Sequence, residues 1–145
     1  MTVHPELRQD PRWEILRGMV RELAYLKAGE DEWFTLASGR KSKHFFDTKP
    51  LMMNPEASQL LGQLLNMRLD DWGVDLVGGL ELGAVPLTAI AVATAPADCS
   101  RLGFMIRKEP KGRGGRKTNN PPGIEGSSVA GGGSVVVLED VTTTG

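Results

Sequence analysis

Apolar residues recur every three or four positions at Trp13, Leu16, Met19, Val20, Leu23 and Leu26, which predicts an amphipathic helix over 11–28 closed by Gly29. A second stripe, Ala57, Leu60, Leu61, Leu64, Leu65 and Leu69, predicts a helix over 54–71. Asn54 suits its N-cap, Pro55 its first turn and Gly73 its end. Between the two helices, short extended pieces flank Ser38-Gly39-Arg40-Lys41-Ser42, so a hairpin is expected there. Its second arm carries Phe45 and Phe46, whose side chains point to opposite faces of a strand. Either one ring enters a core while the other stacks on a planar ligand, or both belong to the core.

Beyond residue 73 the helical stripe gives way to short apolar runs. Val74-Asp-Leu-Val-Gly-Gly79 and Arg101-Leu-Gly-Phe-Met-Ile106 read as strands, with a helix of roughly 85–95 between them. Val135 to Leu138 shows no alternation, the pattern of a strand buried on both faces of a parallel sheet. Strands alternating with helices predict the α/β class.

The totals narrow the function. A chain of 145 residues suffices for one domain with a real core. Charged residues are 24% of the chain and nearly balanced, with net charge −1, which argues against bulk attraction to nucleic acid or an anionic membrane. No apolar run reaches the length of a membrane span, and the N-terminus lacks a signal-peptide core. The single cysteine, Cys99, is read as a small buried hydrophobe rather than a nucleophile, and a reducing cytoplasm fits it. Neither His4 nor His44 is assigned a role.

Three stretches carry candidate chemistry. Glu139 and Asp140 stand where the Val135–Leu138 strand ends, followed by Val141, Thr142, Thr143, Thr144 and Gly145. Ligands of open α/β sheets bind at the carboxyl ends of strands. Carboxylates there can accept hydrogen bonds from sugar hydroxyls, while Thr hydroxyls and turn amides can donate to a phosphate. The stretch thus reads as a ribose-phosphate cradle, or more simply as a core strand with a polar turn. Leu80-Glu81-Leu82-Gly83-Ala84 is a glycine turn feeding a helix, where backbone amides can approach an anion. Arg107-Lys-Glu-Pro-Lys-Gly-Arg-Gly-Gly-Arg-Lys117 and Thr118-Asn-Asn-Pro-Pro-Gly123 have no periodicity and many turn formers, so a mobile loop is expected. It is a functional lid, a solvated basic linker or a nucleic-acid tether.

Four stretches in chain order resemble the orotate phosphoribosyltransferases, type I enzymes that use phosphoribosyl diphosphate (PRPP). Glu139-Asp-Val-Thr-Thr-Thr-Gly145 resembles their PRPP signature. Phe34-Thr-Leu-Ala-Ser-Gly-Arg-Lys-Ser42 with Phe45-Phe46 resembles their N-terminal hood, where the aromatic pair borders orotate. Leu80 to Leu87 resembles the pyrophosphate loop, and Arg107-Lys-Glu-Pro-Lys111 the catalytic loop. Three departures stand out. Ala37 and the loop at Gly83 lack lysines found in other members, and Arg113 stands where many carry histidine. Arginine stays charged at accessible pH, so Arg113 keeps an electrostatic role and loses a proton-transfer role.

The resemblance implies one phosphoribosyltransferase domain over 1–145. Residues 1–50 would form the N-terminal helix and a small hood. Residues 51–145 would form the nucleotide-binding core, a Rossmann-like parallel sheet flanked by helices. The chain stops inside the PRPP signature and is read as a fragment, cut before the last helices and strands. The implied activity is transfer of the phosphoribosyl group from PRPP to orotate in pyrimidine (UMP) biosynthesis. Lys108, Lys111 and Arg113 are the implied catalytic residues. Arg107, Lys108, Lys111, Glu139, Asp140, Val141, Thr142, Thr143, Thr144 and Gly145 would bind PRPP. Phe45, Phe46 and Thr143 would contact orotate, and Glu81, Leu82 and Gly83 the pyrophosphate. Mg2+ would be held through PRPP rather than by a dedicated protein site. A homodimer sharing the basic loop is implied, with no nucleic-acid or membrane partner. A purine-type phosphoribosyltransferase and a PRPP-binding regulator are the alternatives.

Overall fold

The computed structural model describes residues 5–109 and 117–141. The chain divides into two compact units, one comprising the residues up to Leu60 together with those from Val141 onward and the other comprising Leu61–Asp140.

In the first unit, α1 (Pro5–Gln9) precedes α2 (Pro11–Leu23). Asp10 caps α2, its Oδ1 accepting from the Arg12 amide at 2.9 Å. The Arg12 guanidinium and amide together hold the Asp10 carboxyl at about 2, well below the usual carboxylate range. Helix α2 buries Leu16 and half-buries Trp13, Met19, Val20 and Leu23. It ends five residues earlier than the apolar spacing predicts. Tyr25–Lys27 forms β1, antiparallel to β4 (His44–Phe46), with Tyr25 opposite Phe46. Cross-strand bonds replace helical ones there, and Leu26, counted in the apolar stripe, is 47% exposed.

The predicted hairpin is present as β2 (Phe34–Thr35) against β3 (Lys41–Ser42). Gly39, at φ +79, supplies the left-handed turn residue. Phe45 and Phe46 do not extend this hairpin; they pair with β1 instead. Phe45 is half-buried with its ring 5.5 Å from that of Phe34, whereas Phe46 is 46% exposed beside Tyr25. Only one of the two rings therefore turns inward. After α3 (Lys49–Met52) comes α4 (Pro55–Asp71), within which the two units meet in sequence. Asn54 caps it as predicted, accepting from the amides of Glu56 and Ala57 at 3.1 and 3.0 Å.

The second unit is built on a four-stranded sheet in the order β7-β6-β5-β8. Strand β5 (Leu76–Leu80) lies parallel to both β6 (Leu102–Ile106) and β8 (Val135–Leu138). The short β7 (Ile124–Gly126) runs antiparallel at the edge of β6. Helix α5 (Ala84–Ala93) crosses between β5 and β6. The core joins Leu69 of α4 and Ala91 of α5 to Val74, Val77 and Leu138. Burying a side chain such as Leu69 or Val77 contributes about 1.5–3 kcal/mol. Helices α4 and α5 approach closely at Gly62, where a Cβ would lie 2.1 Å from Thr94 Oγ1.

Two further expectations need correction. Val135–Leu138 is not buried on both faces: Val136 and Leu138 join the core, but Val135 and Val137 are 50% and 60% exposed. Among the described strands, β8 has β5 as its neighbour on one edge, and a single face meets the core. Within 117–123, Asn120 is buried, donating to Ser127 O at 2.9 Å and accepting from the Val129 amide at 2.9 Å. That part of the expected mobile loop is tied to the sheet edge. Cys99 is half-buried, its sulfur accepting from the Arg101 amide at 3.5 Å.

One polar assembly fixes the amino end of the sheet. The Arg101 side chain is 2% exposed; its guanidinium donates to Val74 O at 3.1 Å and also to Asn66 Oδ1 and Asp70 Oδ1. Asn66, buried in α4, donates in turn to Ala91 O and Thr94 Oγ1, both at 3.0 Å.

Candidate active site at the carboxyl end of the sheet

Strand register assembles this site. Leu80 of β5 pairs with Ile106 of β6, and Gly79 pairs with Leu138 of β8. Because the three strands are parallel, the residues that follow them emerge side by side. Glu81, Arg107 and the pair Glu139–Asp140 thus arrive at one end of the sheet.

The contacts tie these segments together. The Glu81 amide donates to Ile106 O at 2.8 Å, and Glu81 Oε1 accepts from the Lys108 amide at 3.0 Å. The Arg107 amide donates to Gly123 O at 2.8 Å. Its guanidinium lies between two carboxylates, 3.9 Å from Glu81 and 3.4 Å from Glu125. Asp140 is half-buried and sits directly on Gly83; a Cβ built there would lie 2.1 Å from Asp140 Oδ2. The glycine is therefore required by close approach, since its φ of −66 and ψ of −36 are open to any residue. Glu139 is exposed beside it. Leu82, 74% exposed, spans the turn between Glu81 and Gly83.

Gly83 is also the N-cap of α5, and no side chain caps that helix. The first amides of a helix have no intrahelical partner and favour an anion. The end of the sheet therefore combines hydrogen-bond acceptors for a diol, a helix start whose N-cap residue has no side chain and adjoins Asp140, and the cations of Arg107 and Lys108. Among the described residues, no three His, Cys, Asp or Glu side chains converge as a metal site. None of the described helices is long and apolar enough to cross a membrane.

The structure thus brings together Glu81, Leu82, Gly83, Arg107, Lys108, Glu139 and Asp140. Val141, next in the chain, is 40% exposed. Phe45 and Phe46 belong to the first unit. Lys111, Arg113, Thr142, Thr143, Thr144 and Gly145 lie outside the described residues. Glu125 carries no signal in the sequence. It sits in a three-residue strand, too short to show a period, and nothing local marks it as a partner of Arg107.

Comparison with known proteins decides the family. No protein-family model matches the chain. The orotate phosphoribosyltransferase of Bradyrhizobium sp. (strain ORS 278) is 46% identical over 112 residues, 77% of this chain and 60% of the relative. The crystal structure of Mycobacterium tuberculosis H37Rv orotate phosphoribosyltransferase with Fe(III) dicitrate matches at TM-score 0.71 and 34% identity, over 93% of this chain and 70% of that one. This chain belongs to the orotate phosphoribosyltransferase family. The same Mycobacterium tuberculosis enzyme in complex with PRPP matches at TM-score 0.67 and 32% identity, over 92% of this chain and 67% of that one. The chain spans about three fifths of the length of the curated relatives it matches.

Proposed function

We propose that the protein transfers the 5-phosphoribosyl group of PRPP to orotate, giving orotidine 5′-monophosphate and pyrophosphate in pyrimidine (UMP) biosynthesis. The observation that carries this reading is the packing of Asp140 on Gly83 beside the Arg107–Lys108 segment that Glu81 holds. Support comes from relatives named orotate phosphoribosyltransferase and from the PRPP complex of the Mycobacterium tuberculosis enzyme.

The reaction forms a bond between an orotate ring nitrogen, whose proton is released to water or to the departing pyrophosphate, and the anomeric carbon of ribose. The bond from that carbon to the pyrophosphate oxygen breaks, and its electron pair leaves with pyrophosphate. Positive character develops in the sugar and negative charge on the leaving group, so the site works by orientation and electrostatics. Glu139 and Asp140 hold the ribose hydroxyls and face the developing cation. The Gly83 turn and the start of α5 receive pyrophosphate through backbone amides, with Arg107 and Lys108 neutralising it. By resemblance, Lys111 and Arg113 join them as the loop closes and excludes water, and Thr142–Gly145 bind the 5′-phosphate. Phe45, Phe46 and Thr143 are the orotate contacts in this reading.

Mg2+ fits this reading. It would be held through the phosphates of PRPP and its own waters rather than by a dedicated protein site, with Glu139 and Asp140 kept for the ribose hydroxyls. When bound, it would neutralise phosphate charge. The same reading carries a homodimer sharing the basic loop, and a cytoplasmic location.

The test is a base panel. With PRPP and magnesium, orotate absorbance is expected to fall while adenine, hypoxanthine and uracil remain unchanged. Turnover of a purine would replace the substrate, and PRPP binding without any turnover would make the protein a PRPP-binding regulator.

A further inference from the structure

Glu125 lies on β7 opposite Met105 of β6, one pair from Ile106↔Ile124 at the carboxyl end of the sheet. Its Oε1 is 3.4 Å from Arg107 Nη1, and Glu81 Oε2 lies 3.9 Å from Arg107 Nε. The backbone beneath this guanidinium is fixed at three points: Arg107 N–H to Gly123 O, Lys108 N–H to Glu81 Oε1, and Glu81 N–H to Ile106 O. The head group itself is held loosely. Its contacts run from 3.3 Å, to Glu109 O, up to 3.9 Å. Close charge-assisted bonds are shorter, at roughly 2.7–2.9 Å. The Arg107 side chain is 36% exposed.

A fixed backbone with a loosely held cation leaves the direction of the guanidinium to its two carboxylate neighbours. Arginine presents five donors in a planar fork, so contacts at Nε and Nη1 still leave donors for an anion. We propose that Glu125 is a positioning residue for Arg107. It aims the guanidinium at the diphosphate of PRPP and acts on that anion only through Arg107. This rests on the phosphoribosyltransferase reading above. Glu125 does not touch the reacting atoms, and its partner Glu81 does the same work from the pyrophosphate loop.

A double-mutant cycle read by calorimetry tests this, titrating PRPP with magnesium into the protein. In the wild-type background, Glu125→Ala is expected to weaken PRPP binding about tenfold, within the range of coupling between contacting charged groups. In an Arg107→Ala background the same substitution is expected to change affinity by about twofold or less. A purely structural role of β7 would produce the same loss in both backgrounds, and that result overturns the proposal. So does unchanged affinity with Arg107 present. Should Glu125→Ala fail to fold, Glu125→Gln carries the same cycle: it keeps the acceptor oxygen, so it should weaken binding less, and only when Arg107 is present. Wild-type protein that binds no PRPP would instead remove the functional reading itself, and this inference with it.

Discussion

Gly83→Ala is expected to weaken PRPP binding by about 10- to 100-fold while leaving the fold intact. The backbone at Gly83 is helical, so alanine brings no conformational strain. What it brings is a methyl group 2.1 Å from Asp140 Oδ2 and 2.3 Å from Asp140 Cγ. Real atoms cannot share that space. The cheapest relief is rotation of the Asp140 side chain away from the loop, since a side-chain torsion moves more easily than the backbone of the turn. The carboxylate then leaves the place where it would accept from a ribose hydroxyl. Hydrogen bonds to charged groups contribute about 1.5–3 kcal/mol, and about 1.4 kcal/mol is tenfold in affinity. PRPP titrations and thermal melts of the variant check both halves. Unchanged affinity would separate Asp140 from PRPP binding, and a collapsed melting temperature would make the Gly83 contact structural.

The second large effect lies at the opposite end of the sheet. Arg101→Ala is expected to destabilise the protein by about 2–4 kcal/mol, because its buried guanidinium satisfies two buried acceptors, while the Asp70 side chain left behind is 48% exposed and can be solvated. Val74 O and Asn66 Oδ1 would each lose their Arg101 donor inside the fold, and the space of a long side chain would be empty. For a chain of this size that corresponds to a drop in melting temperature on the order of 10 °C. Arg101→Lys should recover only part of it, since an ammonium cannot reach three acceptors in the plane of a guanidinium. A melting temperature of Arg101→Ala close to wild type would contradict the account of the network.

These two positions show what was legible along the chain. The parallel strands announced themselves as apolar runs, and the acids and cations that follow them stand at the carboxyl ends of those strands. Glu139, Asp140, Arg107 and Lys108 could therefore be chosen before their register was known. Arg101 could not. A cation at a strand start reads as a surface residue, and only the fold shows Asn66 and Asp70 of α4 closing over it. Tyr25–Lys27 continued a helical stripe and became a strand because His44–Phe46, nineteen residues away, offered it an edge. The exposure of Val135 and Val137 also escaped the pattern, because an apolar run records what a strand prefers to bury and not what packs against it. Glu125 was hidden for the same reason as Arg101: its partner lies eighteen residues away and meets it only across β6–β7.

The most direct measurement is calorimetric titration of PRPP, with magnesium, into wild-type protein, Glu139→Gln and Asp140→Asn. The account predicts saturable binding to wild type and losses of about tenfold or more in each variant, the scale of one charge-assisted hydrogen bond. Wild-type affinity in both variants would contradict the assignment of the carboxyl end of β8 as the ribose-phosphate site.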